Sequence, residues 1–473
     1  MSTMARPAAS SSLPVTPAPA DPVLSRHSSS LHATRHLVRL LAGPTLADRA
    51  GWALPVTAMA VVSALSLSVA GGVHWFWQID GPLTSLYRTL SSVALVLLLL
   101  PLATLAAAAA RLSASRRDTR LSSLRLLGAT RSSLRLLTLM ESGAMAAGGA
   151  LLGVAGYAVL MPLLGRLEFA GGPIGAAGLW LGLLPVVGAV LGIVLLAVVS
   201  SAVGLHRVEV SPLGVRTRAR AAHMGRWRAL VAVGGFGLAF VAAQAGNGAS
   251  SMVVIGATMM VALAAPLVLM NLVGPWLLQL VARAELRRAR SAVSLLAART
   301  LLEDPKQVWR QVGALALTSF VGVFMGIGMA MSSGAASNPA EAIAMQDVRT
   351  GVLLTMAFSF VTVACSVGVT QTAAVLDRRS LFVGLDMIGM PTALADRARR
   401  RAVMRPLLLV VGVSVAAALV MTLPMGVAGH IDLTAVAVVA GVLAAGVAVV
   451  HAGLLVSGVT LRQVVRAGLV RAE

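Results

Sequence analysis

Residues 87–110 read YRTLSSVALVLLLLPLATLAAAAA, and residues 111–137 continue RLSASRRDTRLSSLRLLGATRSSLRLL. The first stretch is long and apolar enough to cross a bilayer as a helix, which takes about 20 such residues. The second carries Arg111, Arg116, Arg117, Arg120, Arg125, Arg131 and Arg135 among leucines spaced for one helix face. An apolar run that passes through a basic amphipathic segment into another apolar run is two membrane spans joined by a loop on the positively charged side.

The same alternation extends over the chain. Ten segments are long and apolar enough to span: 53–76, 87–110, 136–161, 176–204, 229–245, 251–281, 311–331, 351–375, 406–428 and 433–458. Only a short Gly/Asn/Ser turn separates the fifth from the sixth. Of the 473 residues 58% are hydrophobic and 12% charged, against about 25% charged in soluble domains. That is too little polar surface for a soluble globule of this size. The 46 glycines and the Ala/Val/Leu runs suit helices packed backbone to backbone, and the short alternating segments of a β-barrel are missing. The expected fold class is all-α and polytopic, with about ten transmembrane helices.

The net charge of +21 would point to nucleic acid in a soluble protein, but its placement points to topology instead. With the N-terminus inside, the inner loops hold the arginines of 111–135, 207–228, 283–310 and 378–405. Only Arg88, Arg166 and Arg349 fall outside, which leaves 35 of the 38 basic residues inside. The basic excess therefore faces the cytoplasm and anionic lipid, and no nucleic-acid partner is expected. Trp52, Trp227, Trp276 and Trp309 fall near inner ends and Trp75, Trp77 and Trp180 near outer ends, as interfacial rings do. Residues 1–30 are rich in Ser, Pro and Ala without an apolar signal-peptide core, and read as a disordered cytoplasmic tail.

The basic segment recurs. Residues 377–401 read DRRSLFVGLDMIGMPTALADRARRR; aligned on glycine, Leu121, Leu124, Leu126, Leu127 and Gly128 match Phe382, Leu385, Met387, Ile388 and Gly389. The spacing puts the apolar residues on one face of a short helix, and the glycine ends it in a left-handed cap. One such helix is either an interfacial helix lying on lipid or a coupling helix that docks on a cytoplasmic partner. Two copies, at the same place in two four-span units, favour the coupling helix. Amphipathic stretches at 31–42 and 291–304 precede the first and seventh spans as in-plane elbow helices. The expected organisation is a first unit over 31–215 (elbow and spans 1–4), linking spans 5–6 over 216–285, and a second unit over 286–473 (elbow and spans 7–10).

The run 117–157, RDTRLSSLRLLGATRSSLRLLTLMESGAMAAGGALLGVAGY, resembles the core of the FtsX-like, or MacB-type, ABC transporter permeases. Their pattern is a basic segment, an "lRxlGat" helix, an Arg-rich return, and a span that opens with Glu and continues with glycines. Glu141, Gly148, Gly149, Gly153 and Gly156 fit that span; the second copy keeps LDMIGMP but has no glutamate in the span that follows. The likeness covers about 85–215 and 350–460. Ten spans with two such units resemble the bacitracin-export arrangement, except that the large extracellular domain between spans seven and eight is reduced to a loop over about 332–350. The resemblance implies a bacterial plasma-membrane protein with both termini cytoplasmic. It also implies a cytoplasmic ABC ATPase as partner, in two copies per permease, docked on Leu121, Leu124, Leu127, Gly128, Phe382, Leu385, Ile388 and Gly389.

Little else reads as chemistry. The only lysine is Lys306, preceded by Pro305, so a Gly-Lys-Ser/Thr phosphate loop is excluded. The chain is expected to be no enzyme and to hold no cofactor, ATP and magnesium belonging to the partner ATPase. Glu141 is the one acidic residue well inside an expected span; the favoured reading is a structural ion pair or hydrogen bond with Arg135, anchoring the third span to the coupling loop. His451, alone in the tenth span, reads as a packing residue, and Cys365 as apolar filler that excludes intrachain disulfides. Gly149-xxx-Gly153 and Gly178-xxx-Gly182 allow close helix contact. No metal ligands and no catalytic constellation stand out, and the substrate site is not legible.

The expected function is the permease of an ABC transporter that couples ATP hydrolysis by a separate ATPase to export or extraction of a hydrophobic or amphipathic substrate, such as a peptide antibiotic or a lipid. One alternative is a mechanotransmission permease acting on an extracytoplasmic partner. The other is a proton-driven secondary transporter, against which the scarcity of intramembrane carboxylates weighs.

Overall fold

The computed structural model describes residues 49–81, 84–126, 131–210, 227–247, 252–332, 339–422 and 433–469. The expected tail over 1–30, the first elbow over 31–42, and Leu127 and Gly128 lie outside the described residues. Twelve helices are present among the described residues. They are α1 (Arg49–Gln78), α2 (Thr84–Leu126), α3 (Arg131–Leu164), α4 (Leu183–Val210), α5 (Trp227–Asn247) and α6 (Met252–Arg287). The chain continues through α7 (Ala292–Glu303), α8 (Pro305–Ser332), α9 (Pro339–Asp377), α10 (Arg379–Met387), α11 (Thr392–Thr422) and α12 (Leu433–Leu469). A two-stranded antiparallel hairpin, β1 (Glu168–Phe169) and β2 (Gly172–Pro173), lies between α3 and α4. Nine of the helices are long and apolar enough to cross a membrane, among the described residues. The chain is an all-α, multi-pass membrane protein. The expected fifth span falls on α5, which is not among the nine and packs along α6.

At the centre stands α8. Phe320, Leu315, Ala314, Ala316 and Val312 are wholly buried against α6, α9, α11 and α12. A seam between α2 and α9 joins the first half of the chain to the second, and α9 packs along α12 on its other side. On α3, Gly149 and Gly153 face α1 so closely that a Cβ would come within 2.5 Å of Met59 Cβ and 2.2 Å of Ser63 Cβ. This is the close crossing expected of a small-xxx-small pair.

Several local expectations change. Gly178 and Gly182 precede α4 instead of lying on it; Gly182 has φ +86°, and a Cβ on Gly178 would meet Trp75. This pair therefore shapes a loop, because a left-handed residue ends or precedes regular helix. Residues 339–350, expected as loop, are the first three turns of α9; Pro339 opens the helix and Glu341 lies in its first turn, where proline and a negative charge are favoured. The second amphipathic stretch forms a helix, α7, capped by reciprocal Ser291 and Ser294 hydrogen bonds. It packs with Ala297, Ala298 and Leu301 buried against α6 and α11. Trp309 is 7% exposed, its indole N–H donating to Asn271 Oδ1 at 3.1 Å, so it fills the core over Gly274 and Gly313 instead of marking an interface.

Candidate functional site

One candidate lies at the hairpin end of the bundle. The turn between β1 and β2 places Ala170 at φ 53° and Gly171 at φ 81°, the backbone that a two-residue hairpin loop requires. The hairpin presses Phe169, 2% exposed, between Trp75 and Phe76 of α1, with centroids 6.2 and 5.1 Å away in edge contacts. Phe76 stacks on Tyr87 of α2 at 6.0 Å. Tyr87 donates to Asp347 Oδ2 on α9 at 2.6 Å, and the Ala170 N–H donates to the same oxygen at 2.8 Å. A single carboxylate thus ties α2, α9 and the hairpin together. Beside it, Tyr157 of α3 donates to the Leu179 carbonyl and stacks on Trp180.

Beneath this cluster, between α1, α2, α8 and α9, is a cavity of about 150 Å³. Its walls are apolar, with Val73, Leu97, Met325 and Val352 among them. The hydroxyls in the lining are satisfied within the helices: Ser68 donates to Ala64 O, Ser91 to Arg88 O, Thr355 to Gly351 O, and Thr318 to Ser359 Oγ across the α8–α9 contact. Asp347 is the one charged side chain in the lining. Such an apolar concavity with few polar groups is the usual form of a small-ligand site.

The other candidate lies at the arginine-rich end. The two motif copies differ there. In the first, residues 111–126 are the continuous end of α2, so Leu121 and Leu124 sit on its last turns instead of on a separate short helix; their side chains lie outside the described part. In the second, a turn at Arg378 breaks the chain and α10 follows as a nine-residue helix. Gly389, at φ 85°, donates to Asp386 O at 2.9 Å and Met390 N–H donates to Leu385 O at 3.0 Å. This pair of bonds is a left-handed glycine cap that satisfies the last carbonyls.

The apolar set on α10 divides. Phe382 packs inward against Val375, Leu461 and Val465, whereas Leu385 is half-buried and Ile388 is 79% exposed. Leu381 and Met387 are exposed as well, which the sequence pattern did not single out as a set. Leu381, Leu385 and Ile388 follow i, i+4, i+7 spacing, so an apolar stripe remains uncovered beside the one Phe382 fills. Behind α10, Arg399 donates to Asp396 Oδ1 and Ser457 Oγ, both at 2.7 Å, while Arg400 reaches Asp396 Oδ2 at 2.6 Å. Arg405 pairs with Glu285 at 2.6 Å, and Arg378 with Glu303 at 3.4 Å. These bonds link α11 to α6 and α12, and the turn before α10 to α7, while α10 itself packs on α12 and α9. The i, i+3 and i+4 spacing of Asp396 to Arg399 and Arg400 was a legible signal for some of these bonds.

No family model matches the chain, and no curated protein or solved structure shows significant similarity to it.

Of the remaining sequence candidates, Glu141 is half-buried on α3 and Arg135 exposed one and a half turns before it. Next to Glu141, Ser142 donates to Thr138 O at 2.7 Å and bonds Ser201 Oγ of α4 at 2.8 Å. His451 is half-buried on α12 and Cys365 half-buried on α9. Among the described residues no group of three or more His, Cys, Asp or Glu side chains could hold a metal. Asp347 went unnoticed in the sequence because 332–350 reads as a loop, where an acidic residue attracts no notice.

Proposed function

We propose that this chain is the permease subunit of an ABC transporter, moving a hydrophobic or amphipathic substrate on the strokes of a separate cytoplasmic ATPase. The observation that carries this reading is mechanical. The two helices that form the seam and wall the cavity, α2 and α9, are the two that run on at the other end into the repeated basic motif. They contain 43 and 39 residues, about 60 Å each at 1.5 Å per residue, twice the thickness of the hydrocarbon core. A continuous helix of that length reaches from one membrane face to a cavity near the other and so links the two. The FtsX-like pattern of 117–157 and the uncovered apolar stripe of α10 support the same assignment. The arginine-rich end then faces the cytoplasm and the hairpin end faces out. The N-terminal and C-terminal units act as two docking points, one for each ATPase copy.

Affinity purification of the tagged chain from its native membrane tests the reading, an ABC ATPase being expected among the proteins retained, with membrane insertion checked separately. Ile388→Asp, at the exposed position, and Leu124→Asp, in the first copy, should each weaken assembly about tenfold or more. A buried leucine-sized contact is worth roughly 1.5–3 kcal/mol and 1.4 kcal/mol is tenfold. Phe382→Asp is unsuitable, because that ring supports α10 itself. Full ATPase stoichiometry in both variants would overturn the coupling-helix reading and make α10 a lipid-surface helix, whereas no ATPase bound to the unaltered chain would remove the motor.

A further inference from the structure

Asp347 is 5% exposed, in the wall of an apolar cavity, within a helix that crosses the membrane. A carboxylate so placed is costly unless it is paired. Its two donors, the Tyr87 hydroxyl and the Ala170 N–H, are both neutral, and both bind Oδ2. Arg88, next to Tyr87 in sequence, is engaged elsewhere: it donates to Trp77 O at 3.2 Å and lies 4.0 Å from Asp80. Among the described residues no Lys, Arg or His lies within ion-pair distance of Asp347. A purely structural tie between a tyrosine and a hairpin amide would need only a neutral acceptor such as asparagine. What the cavity offers is an apolar chamber with one carboxylate at its hairpin end, and the hydroxyls in it are already spent on helix carbonyls, on Ser359 or, for Tyr87, on Asp347 itself.

We propose that this cavity binds an amphiphilic cation, its apolar body between α2, α8 and α9 and its charged nitrogen on Asp347. This rests on the transporter reading for its role, since it names the class of substrate, but the binding itself needs no ATPase. Oδ1 accepts the cation while Oδ2 keeps Tyr87 and Ala170, so the ligand completes a site whose geometry exists before it arrives. Selectivity against anions follows because the lining holds no Lys, Arg or His among the described residues.

The full chain in phosphatidylcholine nanodiscs, without ATPase, is labelled with diazirine-bearing octylamine or with the matching octanol, and the modified residues are mapped by mass spectrometry. The amine should label the cavity wall about tenfold more than the alcohol, the discrimination a charge-assisted hydrogen bond supplies. Label should fall on residues such as Leu97, Met325 and Val352. Octyltrimethylammonium should compete and octyl sulfate should not. Asp347→Asn keeps an acceptor for Tyr87 and Ala170 and should lower amine labelling to the alcohol level while leaving alcohol labelling unchanged. Equal labelling by amine and alcohol in the unaltered chain overturns the proposal, whether or not the variant inserts. So does an amine preference that survives Asp347→Asn. Failure here with ATPase co-purification intact would refute the cation and leave the motor standing; success here with no ATPase bound would do the reverse.

Discussion

Two spans of this protein are opposites. In α8, 83% of the most apolar window is buried inside the protein; in α4, only 6% is. Yet α4 is the more hydrophobic of the two, an almost unbroken run of Leu, Val, Gly and Ala, whereas α8 carries Gln311, Thr318 and Ser319 and several glycines. In a soluble protein the ranking would be reversed. In a bilayer the lipid tails are as apolar as leucine, so hydrophobicity does not drive a span to the centre; close packing and interhelical hydrogen bonds do. Thr318 bonds Ser359 of α9 at 3.0 Å, and Gly322 lies against Met356. On α4, Leu184, Leu191 and Leu195 point away from the protein, 84, 63 and 64% exposed.

This contrast can be broken most sharply by truncation in the centre. Phe320→Ala, at a wholly buried ring, should cost about 3–5 kcal/mol. It would be read as a lowered thermal midpoint in detergent followed by tryptophan fluorescence. Leu195→Ala should stay within about 0.5 kcal/mol of the parent. Equal losses for the two would mean that α8 is not the packing centre.

A charge probes the lipid side. Leu195→Arg should disfavour insertion of α4 by about 2.5–3.5 kcal/mol if it sits near mid-bilayer. A glycosylation-mapping assay of span insertion would detect that change, and normal insertion would mean that this face of α4 is covered by protein or water. The smallest effect is expected from the central hydrogen bond. Thr318→Val should destabilise by about 0.6 kcal/mol, the average for such bonds between membrane helices; a loss above 2 kcal/mol would give the Thr318–Ser359 pair a larger part than packing in holding α8.

The chain's amino-acid order by itself determined that this is a multi-pass helical membrane protein, because runs of about 20 apolar residues have no other stable use. It also located the basic motif twice, since Leu and Arg spacing is a local property, and it foresaw the left-handed cap at Gly389. It placed Gly149 and Gly153 on a helix contact, but could not separate them from Gly178 and Gly182, whose spacing is identical and whose residues lie in a loop. Only the tertiary structure decided which apolar span is central, because burial in lipid depends on partners supplied by helices far away in sequence. It decided that Phe382 turns inward while Ile388 stays exposed, a matter of where α12 lies. And it gave Asp347 its meaning: Tyr87, 260 positions away, and the hairpin amide of Ala170, 177 positions away, converge on one carboxylate oxygen. No local pattern encodes that meeting, because it exists only once α2, α9 and the hairpin are packed around the same cavity.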